Sequence, residues 1–225
     1  MRRFAFLSKA ALAVAVPVVC FYGVERAFAA GAMASFTATA ANVAGANETV
    51  RIEVIRWSTD AERDPLVQAW TQPIAPPPSN GGRGGRGGRG GRGGDAEATP
   101  RTHEGLLAEA VRAAPVVGYV WTSEVTGFSV HHATRVPNEG GGERIILITD
   151  RRLDAFSNLW KPTGGGAENN YDFSLIELRL NSKGEGEGKV SLMGAIAADS
   201  GAKTFGLENY SSLPVILKNL KRKAN

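Results

Sequence analysis

Residues 49–57 alternate in character: Val50, Ile52 and Val54 are apolar, while Arg51 and Glu53 between them are charged. Successive side chains of an extended chain point to opposite faces, so this repeat of two predicts a strand with one wet face. Residues 35–43, rich in threonine and small side chains, predict a strand before it. The period then lengthens. Thr59 and Glu62 stand at capping-box spacing, where hydroxyl and carboxylate each satisfy a free backbone N–H, and Leu66, Val67 and Trp70 follow on one helical face. Pro65 disturbs this helix, and Asp64-Pro65 is an alternative start. Residues 104–114 predict a second helix, with Leu106, Leu107, Ala110 and Val111 on one side and Pro115 ending it.

From residue 116 onward the pattern is β throughout, with candidate strands at 116–123, 127–134, 144–149, 173–180, 189–197, 204–209 and 214–221. Turns rich in glycine, asparagine and aspartate separate many of them, since glycine supplies positive φ and Asn or Asp bonds its own backbone. Residues 150–160 read as a crossing loop with a short strand. Residues 184–189, Gly-Glu-Gly-Glu-Gly-Lys, imitate a phosphate loop, but a valine follows the lysine and the glutamates would repel phosphate, so they read as a hairpin loop. Strands at this spacing, with no long helix between them, predict a mainly β fold: an antiparallel β-barrel or β-sandwich with one or two short helices near its start.

Between the two helices, residues 73–100 hold three successive prolines and a Gly-Gly-Arg repeat carrying Arg83, Arg86, Arg89 and Arg92. Almost nothing there can be buried, so the segment is expected to be a disordered excursion from a loop. Its arginines are candidates for binding a polyanion such as an envelope polymer. Nucleic acid is not expected as the partner, because no aromatic residue is interleaved and the chain carries an export signal. A solvated loop enlarged by repeat slippage is the plainer reading.

That signal lies at the start. Arg2, Arg3 and Lys9 precede an apolar run at 10–22, shorter than the ~20 residues that span a bilayer, and Ala27-Phe28-Ala29 follows as a small-x-small exit. Together they predict a cleavable secretory signal peptide over residues 1–29, a periplasmic or secreted protein, and no transmembrane helix after cleavage. The Arg2-Arg3 pair raises the twin-arginine route, although Phe4, Ala5 and Phe6 do not extend that match. Cleavage would remove Cys20, the sole cysteine, which excludes catalytic thiols, thiolate metal sites and disulfides from the single domain at 30–225. It also changes the charge. The formal +4 includes a net +3 in the leader and four arginines in the repeat, so the body is mildly acidic and its charge does not point to nucleic acid.

The stretches GERIILITDRRL and YDFSLIELRLNSKGEGEGKVSL, with the closing LENYSSLPVILKNLKRK, resemble a group of exported bacterial proteins of unknown function. The resemblance covers residues from about 49 to the C-terminus, with the arginine-glycine repeat as an insertion. It implies an intact family domain and carries over no catalytic residues.

Candidate chemistry is sparse. His131 and His132 are adjacent, and strand alternation would send them to opposite faces, one half-buried and one exposed; with His103 at the edge of the insertion, a three-histidine metal site is not expected. A hydrolase-type site would have to lie near His131, His132 and Asp150. There is no Gly-x-Ser-x-Gly, and Ser200 to Lys203 fits Ser-x-x-Lys only in a turn, where both side chains cannot share a helical turn. Asp150, Asp154, Asn169, Asn170 and Asp172 do not match the spacing of a regular calcium loop. The aromatics Trp57, Trp70, Trp121, Trp160, Tyr119, Phe128 and Phe173 suit a core, or a pocket in a barrel mouth for an apolar or sugar ligand. Trp121, His132 and Trp160 are the candidate ligand contacts, as neither tryptophan has cleanly apolar sequence neighbours. No cofactor is expected. These features favour a non-catalytic binding or envelope-associated module, with a hydrolase and a polyanion binder as alternatives.

Overall fold

The computed structural model describes residues 32–74, 101–122, 127–138, 140–155, 158–163, 169, 171–199 and 201–223. The leader and residues 75–100 lie outside this set, so the expectations for them are not addressed by the fold. Among the described residues the order is β1 (Ala34–Ala40), β2 (Thr49–Val54), α1 (Asp60–Thr71), α2 (His103–Ala113), β3 (Gly118–Trp121), β4 (Gly127–Pro137) and β5 (Glu143–Thr149). Then come a 3-10 turn (Asn158–Trp160), β6 (Leu175–Leu180), β7 (Glu185–Val190), β8 (Ile196–Asp199), β9 (Thr204–Leu207), a second 3-10 turn (Tyr210–Ser212) and β10 (Leu217–Lys223). Eight strands close an antiparallel barrel in the order β1–β10–β7–β6–β5–β4–β3–β2, and β8 pairs with β9 as a separate hairpin. Of barrel and sandwich, the chain forms the barrel.

Alternation fills its interior. Phe36, Ala38 and Ala40 of β1 point inward, as do Val50, Ile52 and Val54 of β2, and they meet Val120, Phe128, Ile145, Leu147, Ile176, Leu178 and Leu220 in one inner core. The connection from β5 to β6 crosses one barrel end and adds Leu153 and Trp160 to that core. Its strand-like stretch is the 3-10 turn, held to the β1–β2 turn by Gly45 N–H to the Leu159 carbonyl at 2.7 Å and by a bridge from Val43 to Pro162.

A second core lies outside the wall. Ile146 and Ile148 of β5 and Leu175 of β6 point outward against Leu66 of α1, Leu107 and Val111 of α2, and Phe205 and Leu207 of β9. Both faces of β5 are therefore covered, which accounts for its unbroken Ile-Ile-Leu-Ile run. Elsewhere the outer wall is polar, with Thr37, Arg51, Lys221 and Lys223 facing outward. No described helix is long and apolar enough to cross a membrane.

Helix α1 starts at Asp60, not at Asp64. Thr59 forms the full capping box with Glu62, and Pro65 is accommodated inside the helix because the cap already fixes the first turn. The hairpin loop expected at 184–189 is instead strand β7, and the strand expected at 189–197 is broken into the end of β7 and the start of β8. The reason is steric. Gly186 and Gly188 face the barrel interior, where a Cβ on Gly188 would lie 2.7 Å from Leu178 Cδ2 and one on Gly186 only 1.8 Å from the Arg179 carbonyl oxygen. Glycine is thus a requirement of close approach in a strand here, while Glu187 and Lys189 alternate to the outer face.

Candidate functional site

His131 and His132 do not part to opposite faces. The β4–β5 register shifts between Val130 and His132, a bulge that places both rings on the outer side of the wall. His131 Nδ1 lies 2.5 Å from the Ala114 carbonyl at the end of α2, which fixes that ring to the helix terminus. His132 is fully buried rather than half-buried. Its ring meets Phe205 edge to face at 6.2 Å between centroids, and neither nitrogen has a hydrogen-bond partner among the described residues. Burial, reinforced by the Arg63 cation, holds the His132 imidazole down to about 4 from an ordinary 6.5.

Asp150 makes its own contacts: its backbone N–H bonds the Ser129 carbonyl, and its carboxylate lies 3.9 Å from Arg151 Nε. His103 stands apart as well, its Nε2 2.9 Å from the Gln72 carbonyl, so the two ends of the arginine-glycine segment are tied at one point. Arg83, Arg86, Arg89 and Arg92 lie outside the described residues.

The three candidate ligand contacts also separate. Trp160 is core, 3% exposed beside Val43 and Leu153, because the β5–β6 connection folds it into the barrel end; its sequence neighbours gave no sign of this. Trp121 is on the outer face of β3, half-buried, with Tyr119 at 5.9 Å between ring centroids and the Arg51 guanidinium 5.3 Å from its ring. His132 lies in the outer seam. Inner-core side chains, Trp160 among them, occupy the barrel interior, whereas Trp121 and His132 lie on its outer side. The loop acids are engaged too. Both Asp154 oxygens hold Arg152 at 2.8 and 2.9 Å, and Asp172 pairs with Arg112 at 3.5 Å. Among the described residues no three His, Cys, Asp or Glu side chains are grouped as metal ligands.

Two features were missed from sequence. The first is a charged cluster on the outer wall. Glu177 is fully buried; it takes Arg179 Nε at 2.9 Å on one oxygen and the Leu207 N–H at 2.8 Å on the other. Lys189, directly across the β6–β7 pair, donates to the Tyr210 carbonyl at 2.5 Å, and the Tyr210 ring lies between Arg179 at 3.6 Å and Lys189 at 4.4 Å. Burial raises the Tyr210 phenol well above its usual range. Glu187 stands 3.6 Å from Lys189 and Glu177 beside Arg179, so each cation has its carboxylate and the cluster acts as a clasp holding the outer hairpin. Outward charges at alternating positions in β6 and β7 were its only sequence signal.

The second is a groove of about 390 Å³ between α1 and the β8–β9 hairpin, lined by Asp64, Val67, Gln68, Thr71, Ala198, Asp199 and Lys203. Its size falls in the range of small-ligand clefts, and its floor mixes apolar and charged groups. Asp199 accepts the Ala202 N–H and pairs with Arg144, and these, the backbone bond first, hold its carboxyl below the usual range. Lys203 sits in the left-handed region at φ 48° on the turn that rims the groove. The apposition of two segments over a hundred residues apart left no local signal in either.

No family model, curated protein or solved structure matches the chain.

Proposed function

We propose that the chain is an exported, non-catalytic binding or envelope-associated β module that takes a small ligand on the outside of its barrel. The observation that carries this reading is the groove between α1 and the β8–β9 hairpin, beside a barrel whose interior is filled. A groove with Val67 and Ala198 on its walls and Asp64, Gln68 and Lys203 at its rim suits a compact ligand with polar groups around an apolar face, such as a sugar. Of the titratable side chains in and beside it, Asp199 is held by Arg144, Asp64 by Arg63 and His131 by the Ala114 carbonyl, while His132 is sealed in the seam.

Export rests on the charged, apolar and small-residue parts of the first 29 residues. Fractionation of a bacterial host expressing the full chain, with the mass of the recovered protein, tests it. Protein outside the cytoplasm that begins at Ala30 supports the reading, and uncleaved cytoplasmic protein would overturn it. A thermal-shift screen against sugars, amphiphiles and anionic polymers tests binding.

Polyanion binding through Arg83, Arg86, Arg89 and Arg92 is a second reading, supported by the Gln72–His103 contact that tethers both ends of that segment to the folded body. It predicts affinity that falls steeply with salt and is lost when residues 75–100 are deleted.

A further inference from the structure

We propose that His132 makes the layer of α1, α2 and the β8–β9 hairpin an acid-released element: a proton on its ring opens this layer from the barrel wall while the barrel stays closed. The seam is pinned at the hairpin by Glu177 to the Leu207 N–H and by Arg144 to Asp199, so the split requires these contacts to part along with the His132 packing. The inner core and the outer core are separate clusters, and β1, β2 and β10 contribute nothing to the outer one. All eight barrel strands keep their ladder without the helices or the hairpin, since the sheet closes on itself.

His132 is the buried titratable ring in the seam. Phe205 covers it from β9, Ile148 is its cross-strand neighbour on β5, and α1 brings Arg63 and Glu62 toward it. Neither α1 charge is placed to receive a proton on the ring. Arg63 is a cation, committed to Asp60 and Asp64 at 2.9 Å each, and it repels a second positive charge. Glu62 is committed to Arg56 at 2.7 and 2.8 Å and to the Thr59 N–H. Phe205 and Ile148 offer no acceptor, and the adjacent His131 is bound to the end of α2. An imidazolium at this position has burial and Arg63 against it and one spent carboxylate in its favour. Lifting α1 and the hairpin exposes the ring to water, where it protonates at its ordinary value. Acid therefore favours the lifted state, and the linkage makes the effect about tenfold in the opening equilibrium per pH unit below about 6.5.

The test is hydrogen exchange on the full chain, followed by mass spectrometry between pH 7 and 4.5 and corrected for intrinsic rates. The expected result is that peptides from α1, α2 and β9 lose protection by about tenfold per unit below pH 6.5, while β1, β2 and β10 keep theirs. In His132→Phe the response of the outer layer is flat, and in His131→Phe it persists. An unchanged response in His132→Phe, or loss of protection by all strands together, would overturn the proposal. Should His132→Phe fail to fold, NMR titration of the wild-type histidines decides. A buried ring still neutral at pH 5 with outer-layer exchange rising supports the proposal, and a ring titrating near 6.5 with no change in exchange refutes it.

Discussion

The carboxylate of Glu177 accepts the backbone N–H of Leu207 at 2.8 Å, across the boundary between the barrel wall and the hairpin outside it. The side chain is fully buried and holds Arg179 through its other oxygen. Glu177→Ala leaves a buried N–H and a guanidinium without their acceptor, and is expected to cost about 2–3 kcal/mol. Glu177→Gln keeps an acceptor for Leu207 and should cost less. Urea unfolding of both variants checks the order, and an alanine variant no weaker than the glutamine one would show that the clasp does not hold the hairpin.

Glycines 186 and 188 should be unequal in their tolerance. A methyl on Gly188 meets side-chain atoms of Leu178 and Leu217 at 2.7 and 3.1 Å, which can shift, so Gly188→Ala is expected to cost about 1–3 kcal/mol. A methyl on Gly186 meets the Arg179 carbonyl oxygen at 1.8 Å, and only movement of β6 relieves it. Gly186→Ala should therefore be the more damaging, read as a lower thermal midpoint or as insoluble protein.

How much of this was legible in the sequence depended on whether the determinant was local. The Thr59–Glu62 cap and the alternation of β2 each lie within one segment, and the structure has both where the pattern puts them. Strand β7 was misread because glycine signals a turn by its own flexibility, whereas here it answers to Leu178 and Leu217 on neighbouring strands. The bulge at His131 reversed a facing argument that alternation alone supports. Trp160 became core through a connection whose path over the barrel end depends on Val43 and Gly45, far away in the chain.

Two acid limbs are expected in stability against pH. His132 is held down to about 4, so its contribution is complete above pH 6.5, falls as pH drops from 6.5 to 4, and then levels. A shift of that size corresponds to about 3 kcal/mol, and His132→Phe should remove this limb. Glu62 is also held down, to about 2, first by its hydrogen bond from Arg56 and then by the Thr59 N–H. Its contribution is present above pH 4.5 and lost as pH falls through 2, so Glu62→Gln should flatten the lower limb alone. Equilibrium unfolding of wild type and both variants from pH 7 to 2 checks the assignment, and coincident curves would refute it.

The α1 cap has its own expected cost. Thr59→Ala removes the acceptor for the Glu62 N–H and should lower stability by about 1 kcal/mol at pH 7. Thr59→Ser, which keeps the hydroxyl, should restore most of it in the same denaturation measurement.

The proposed ligand place lies outside the barrel, in the groove between α1 and the β8–β9 hairpin. The most direct measurement is the thermal shift produced by the best compound of the sugar, amphiphile and polymer screen in three proteins: wild type, Ala198→Arg and Trp121→Ala. Ala198 is an exposed residue on the groove wall, while Trp121 lies on the outer face of β3. The expected result is a shift in wild type that survives Trp121→Ala and disappears in Ala198→Arg. A shift that survives Ala198→Arg and disappears in Trp121→Ala, or no shift in wild type with any compound, would contradict it.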